Sequence, residues 1–230
     1  METLDIYQEE KVLLIDKPLN WTSFQVVNKI RWLIKQQFNI KKIKVGHAGT
    51  LDPLATGLLI LCTGKFTKKI ETYQAQVKEY TGTITLGATT PSYDLESEID
   101  QKFDISEISK ADILKNTQQF HGKIQQQPPI FSALKKNGKR LYEYAREGSK
   151  IDIPSRAVTI KEFQITKIEL PYIEFRIVCG KGTYIRSLAH DFGKSLNNGA
   201  HLSSLRRTKI GEFRVEDAID VFEVEKFIKS

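Results

Sequence analysis

The chain has two cysteines, one methionine and four scattered histidines, and no apolar run that approaches the ~18 residues of a membrane span. Cys62 and Cys179 stand apart in apolar, strand-like runs without CxxC spacing. They read as reduced, buried thiols, not as a disulfide framework or a zinc site. The histidines show no ligand spacing, so no metal centre is expected. GxGxxG, HExxH and GxSxG are absent, and Gly64-Lys65 is followed by Phe66 where a phosphate loop needs Ser or Thr. Gly180-Lys181-Gly182-Thr183 lacks the upstream glycine of such a loop. Nucleotide hydrolases, metalloenzymes and serine hydrolases are thereby disfavoured. The start, Met1-Glu2-Thr3-Leu4-Asp5, has no basic residue and only a short apolar run follows at 12–15, so no export signal and a cytoplasmic location are expected. From Asn28 to Leu51 there is also no acidic residue, against six Lys/Arg.

What is present is ordinary in bulk: 230 residues, 40% apolar and 10% aromatic, enough for one substantial core. Thirty-five basic residues against twenty-eight acidic ones give +7, which favours anionic partners.

Residues 11–16 read as a short buried strand ending at Lys17-Pro18. Thr22-Ser23 offers a helix N-cap, and Phe24, Val27, Ile30, Ile34 and Phe38 fall on one helical face. Residues 58–62 read as a strand, 66–73 as a helix, and 80–86 alternate with period two as a half-buried strand. Residues 94–112, with seven acids and two lysines, read as a solvated edge facing away from any polyanion. A helix follows at 112–119. Residues 121–150 differ: glutamines, Pro128-Pro129, then Lys135, Lys136, Lys139, Arg140, Arg146 and Lys150. They predict an extended, mobile excursion leading to a helix from Arg140 that Gly148 stops. Two strands around Pro171, a helix over 183–196, a strand over 201–210 and a last helix over 221–229 complete the chain. The pattern predicts an α+β fold, a mixed, mostly antiparallel sheet with flanking helices, in one domain over 1–230.

The most informative stretch is Gly46-His47-Ala48-Gly49-Thr50-Leu51-Asp52-Pro53-Leu54-Ala55-Thr56-Gly57. Asp-Pro alone is ordinary turn chemistry. A lone carboxylate framed by glycines and preceded by a wholly basic stretch is a poor device for binding a polyanion, and a good one for acting on it. Breaking an N-glycosidic bond builds oxocarbenium character at C1′, which a nearby carboxylate can stabilise or trap. A base so treated must be taken out of its stack and held between flat or apolar side chains.

This stretch closely resembles the signature loop of the tRNA pseudouridine-55 synthases of the TruB type, G-H-x-G-x-L-D-P-x-A-x-G. The resemblance implies a pseudouridine synthase fold and an isomerase that converts uridine 55 in the TΨC arm of tRNA, with Asp52 as its catalytic carboxylate and no cofactor or metal. Lys78-Glu79-Tyr80 matches the family's K-x-Y strand, whose tyrosine stacks on the target base. Lys181-Gly182-Thr183-Tyr184-Ile185-Arg186-Ser187-Leu188 matches its K-G-T-Y-I-R-S/T-L motif, whose arginine pairs with the catalytic aspartate. Leu205-Arg206-Arg207 matches its L-R-R: the leucine implies an apolar pocket wall, and Arg206 and Arg207 imply phosphate contacts. Lys17-Pro18 with Thr22-Ser23 resembles the motif that supports the active-site loop. Asn20 stands where glycine is usual, and asparagine tolerates the left-handed backbone expected there. Residues 121–135 resemble the family's RNA-gripping insertion, with Phe131 in place of tyrosine. His47, Lys17, Lys68 and Tyr184 join the implied substrate-binding set.

The matches run from about Val12 to Gly211. Many relatives carry a further RNA-binding (PUA) domain after this point, and none is expected here, so weaker and more salt-sensitive RNA binding is expected. The implied partner is tRNA, met by a monomer without membrane or guide RNA. Three rivals stand beside this reading: a non-catalytic RNA-binding module, a hydrolase that releases uracil, and a relative guided by a small RNA within a particle.

Overall fold

The computed structural model describes residues 3–9, 11–149 and 151–229. The readings on Met1, Glu2 and Lys150 lie outside the described residues. In chain order the elements are α1 (Leu4–Glu9), β1 (Val12–Lys17), α2 (Ser23–Gln37), β2 (Val45–His47), β3 (Ala55–Thr63), a 3-10 segment Gly64–Lys69, α3 (Ile70–Ala75) and β4 (Lys78–Leu86). There follow β5 (Ala88–Thr89), β6 (Gln101–Lys102), α4 (Lys110–Asn116), β7 (Gly122–Gln126), β8 (Lys135–Lys136), β9 (Lys139–Arg140) and α5 (Leu141–Arg146). The chain ends with β10 (Arg156–Glu169), β11 (Tyr172–Cys179), α6 (Ile185–Ser195), β12 (Ala200–Ile210), β13 (Phe213–Arg214), β14 (Ile219–Asp220) and α7 (Val224–Lys229). These form two compact units, one of residues up to Tyr80 together with those from Leu205, the other of residues 81–204.

In the first unit the strand order is β14-β1-β3-β12, with β2 on β3 and β13 on β12. β1 and β2 run antiparallel to β3, whereas β12 pairs with β3 in parallel, Leu205 beside Ala55 and Arg207 beside Gly57. Residues Leu58 to Cys62 of β3 are all fully buried because both faces of the sheet are covered. The pleat sends Leu59 and Leu61 to one core with Leu13, Ile15, Val27, Ile30 and Val224. It sends Leu58, Ile60 and Cys62 to the other, with Ile210 and Val215.

Helix α2 begins where the sequence says it should. The Thr22 side chain accepts the Gln25 N–H at 3.1 Å while the Gln25 side chain accepts the Thr22 N–H at 2.7 Å, a reciprocal cap. One expectation fails: Phe24 is 62% exposed, and Val26 and Leu33 complete the buried stripe instead. Residues 66–73 also differ from one helix, being a 3-10 turn that passes into α3.

In the second unit β12 and β4 lie beside β11, β10 and β7, with β10 antiparallel to both its neighbours. Its core is aromatic: Phe163 meets Phe192 at 5.4 Å and Phe120 at 6.1 Å between ring centroids, both edge-on. The 121–150 excursion contains β7, the β8–β9 hairpin and α5. That helix starts after Arg140 and gives way at Gly148, whose φ of +67° is left-handed. Cys62 and Cys179 are buried free thiols. Among the described residues no helix is long and apolar enough to cross a membrane.

Candidate active site

The Asp52 loop leaves β2 and returns as β3, and buried side chains hold it from three sides. Ser23 Oγ accepts the Leu51 N–H at 2.9 Å and donates to the Leu51 carbonyl at 3.1 Å. Lys17, fully buried, donates from Nζ to the carbonyls of Trp21 at 2.6 Å, Pro18 at 2.9 Å and Pro53 at 3.4 Å. The Asn20 N–H reaches the Pro53 carbonyl at 2.9 Å, and Asn20 does adopt the left-handed backbone, with φ +64°. Leu51 and Pro53 are thus each fastened, and half-buried Asp52 stands between them.

Arg207 supplies the third hold. Its guanidinium donates to the Leu58 carbonyl at 2.7 Å and the Gly49 carbonyl at 3.1 Å, and the residue is 1% exposed. Gly57, with φ +101°, lets β3 approach: a Cβ there would lie 2.3 Å from the Arg207 carbonyl oxygen. The phosphate contact expected of Arg207 does not fit this burial, because its donors are turned inward to the loop. Arg206 binds Asp16 through both terminal nitrogens at 3.0 and 2.6 Å, and remains partly exposed. Lys17 likewise holds the loop from beneath, in place of the substrate contact expected of it. Burial draws its ammonium down to about 8, against the opposing pull of Asp52.

His47 ends β2, and burial followed by the charge of Arg207 holds its imidazole below the ordinary value, against the opposing pull of the Gly49 backbone. Tyr80 lies on β4, whose start is set by Lys78 Nζ donating to the carbonyls of Gln74 and Gln76. Leu205 is half-buried on β12, and Lys68 is exposed on the 3-10 segment.

Arg186 and Tyr184 belong to the second unit. Gln126 holds Tyr184 by both backbone groups, accepting its N–H at 2.8 Å and donating to its carbonyl at 3.0 Å, which sets the start of α6. The Arg156 guanidinium covers the Tyr184 ring at 4.9 Å. Arg186 is buried with Asp94, Nε to Oδ2 at 3.5 Å, and donates to the carbonyls of Ser92 at 3.2 Å and Phe131 at 2.9 Å. Asp94 is a correction to the solvated acidic edge: it is buried, and its Oδ1 accepts the Glu96 N–H at 3.0 Å. Asp94 and Gln126 escaped the sequence reading. The only signal for Asp94 was the turn-forming Thr90-Pro91-Ser92 before it, masked by the acids after it.

A model described as TruB family pseudouridylate synthase (N terminal domain) matches residues 35–185. The chain belongs to the TruB pseudouridylate synthase family. A model of the tRNA pseudouridylate synthase B C-terminal domain matches residues 186–229. Among relatives, the chain is 62% identical over 220 residues to tRNA pseudouridine synthase B of Flavobacterium johnsoniae, covering 95% of this chain and 96% of that one. It is 53% identical over 215 residues to the protein of that name from Phocaeicola vulgatus, covering 94% and 92%. Among solved structures, a Cbf5-Nop10-Gar1 complex matches with TM-score 0.72 at 29% identity over 98% of this chain. This chain spans only 56% of that one. The α+β fold with its mixed, mostly antiparallel sheet is therefore that of the pseudouridine synthases, and the TruB chain described here is an isomerase. Among the described residues no group of three or more His, Cys, Asp and Glu side chains is placed to hold a metal ion.

Proposed function

We propose that the chain converts uridine 55 in the TΨC arm of tRNA to pseudouridine, with Asp52 acting at C1′ of the flipped nucleotide. The observation that carries this reading is the fastening of Asp52: Ser23 holds the residue before it and Lys17 the residue after it. Such investment in one half-buried carboxylate suits a group that must meet a reacting carbon at a fixed position. The relatives named tRNA pseudouridine synthase B, matched over almost their full length, support tRNA as the substrate.

In the reaction the N1–C1′ bond breaks, the freed uracil turns, and C5 bonds to C1′. The C5 proton leaves and N1 regains one, so the product is an isomer. Asp52 answers the positive charge that develops at C1′. Tyr80 stacks on the base, Leu205 walls the pocket, and Arg186 pairs with Asp52 to keep it ionised and oriented. His47, Lys68, Tyr184 and Arg206 meet the RNA. The enzyme works in the cytoplasm as a single catalytic domain and a monomer, without guide RNA or cofactor, and the 121–150 excursion grips the T arm.

The test is a tRNA transcript tritiated at uracil C5, incubated with wild type and with Asp52→Asn. Release by wild type alone, with the product mapped to position 55, is expected. Free uracil among the products would make the enzyme a hydrolase, and tight binding by both proteins without release would make it an RNA-binding module.

A further inference from the structure

Five residues other than glycine have positive φ among the described residues, and four are asparagines, the side chain that tolerates this backbone. The fifth is Tyr93, with φ +65°. A bulky residue in that conformation persists only where its surroundings insist on it. Here they do. The Tyr93 ring stacks on the His190 imidazole, centroids 3.9 Å apart and planes 13° from parallel. Its N–H reaches the Thr90 carbonyl at 3.1 Å, closing a turn with Pro91 at its second position, and its carbonyl accepts the Leu202 N–H at 2.9 Å.

His190 is four residues after Arg186 on α6, so both side chains leave the same face one turn apart. The neighbouring residues of the 90–97 turn meet them in pairs: Asp94 with Arg186, Tyr93 with His190. Ser92, on the other side of Tyr93, gives its carbonyl to Arg186. One strained residue thus stands between two of the acceptors that aim the guanidinium. His190 is half-buried, its Nδ1 makes no hydrogen bond, and its ring packs on the tyrosine.

We infer that the Tyr93–His190 stack is a positioning device, which docks the 90–97 turn on α6 so that Asp94 and the Ser92 carbonyl hold Arg186 in its working orientation. This rests on the reading of Arg186 given under Proposed function. Tyr93 and His190 act through Asp94 and Ser92 and touch no reacting atom.

Tyr93→Gly separates this role from a plain turn, because glycine prefers the backbone that tyrosine strains. A mere turn residue would be matched or bettered by glycine. A positioning residue predicts that Tyr93→Gly and His190→Ala lower kcat about tenfold or more with KM and tRNA affinity within about twofold. Tyr93→Phe and His190→Phe, which keep two stacked rings, should restore the rate. Tyr93→Gly should cost less on top of Asp94→Asn than in wild type, since both act on one network. The side-chain Nε–H signal of Arg186 in a nitrogen NMR spectrum should shift and lose protection in Tyr93→Gly. That signal reports the geometry even if wild type released no tritium from tRNA, a result that would strike the proposed reaction and leave this docking standing. Unchanged kcat and an unchanged Arg186 signal in both Tyr93→Gly and His190→Ala would overturn the inference. So would a loss confined to KM, which would make the stack an RNA contact.

Discussion

Ser23 Oγ satisfies both backbone groups of Leu51, the residue directly before Asp52. Ser23→Ala strands a buried N–H and C=O together. The unfolding free energy should fall by roughly 2–3 kcal/mol, and kcat should fall more than KM because the carboxylate loses its fixed height. Urea denaturation beside single-turnover kinetics reads both, and an unchanged kcat would deny the serine its part in placing Asp52.

Lys17→Met keeps the length and apolar stem of the side chain and deletes the ammonium that ties Pro18, Trp21 and Pro53 together. Three carbonyls then lose a donor, at a cost of about 2 kcal/mol or more, and activity should fall with tRNA affinity nearly unchanged. A variant that instead binds tRNA poorly at full turnover rate would restore Lys17 to the substrate-contact set.

Gly57→Ala places a methyl 2.3 Å from the Arg207 carbonyl oxygen at a φ of +101°. Neither backbone can yield without breaking the parallel β3–β12 register, so a loss of about 3 kcal/mol is expected in thermal or chemical unfolding. Stability equal to wild type would mean that the two strands separate at little expense.

Asp94→Asn keeps the shape of the side chain and removes the charge facing Arg186. Neutralising one carboxylate beside a buried guanidinium should lower stability by roughly 3 kcal/mol, and tritium release should fall steeply. Full activity in this variant would show that the Ser92 and Phe131 carbonyls suffice to hold the arginine.

His190 carries the acid response. Burial, followed by the charge of Lys194 and against the pull of Asp100, lowers its imidazole from 6.5 to about 4. As pH falls below 6.5 the unfolded chain takes up a proton that the folded chain refuses until about 4, so the contribution is whole above that window and lost across it. The full span amounts to ~3 kcal/mol. His190→Phe should therefore flatten the fall in melting temperature between pH 6.5 and 4 relative to wild type. Parallel curves for the two proteins would place the acid sensitivity elsewhere.

Where burial follows local pattern, the structure was legible beforehand. The apolar run at 58–62 is a strand buried on both faces, Thr22 caps α2, Gly148 ends α5, and Asn20 turns left-handed. The Asp52 loop was legible as a motif, and Ser23 and Lys17 as its supports. What escaped depends on contacts remote in sequence. Asp94 was submerged in a run of acids, and only Arg186, ninety-two residues later, gives it a reason to be buried. Arg207 looked like a surface cation beside Arg206 until Gly49 and Leu58 took its donors. Phe24 has the right spacing for the core yet faces outward.

The first unit is broken in sequence, its opening residues waiting on those from Leu205 onward, whereas residues 81–204 are continuous. On the ribosome the second unit can assemble as soon as it emerges. The first cannot, because β3 lacks its parallel partner and the Gly49 and Leu58 carbonyls lack the Arg207 guanidinium. Asp52 is made early and fastened late, so a nascent chain halted before Leu205 carries this carboxylate without the frame that would aim it.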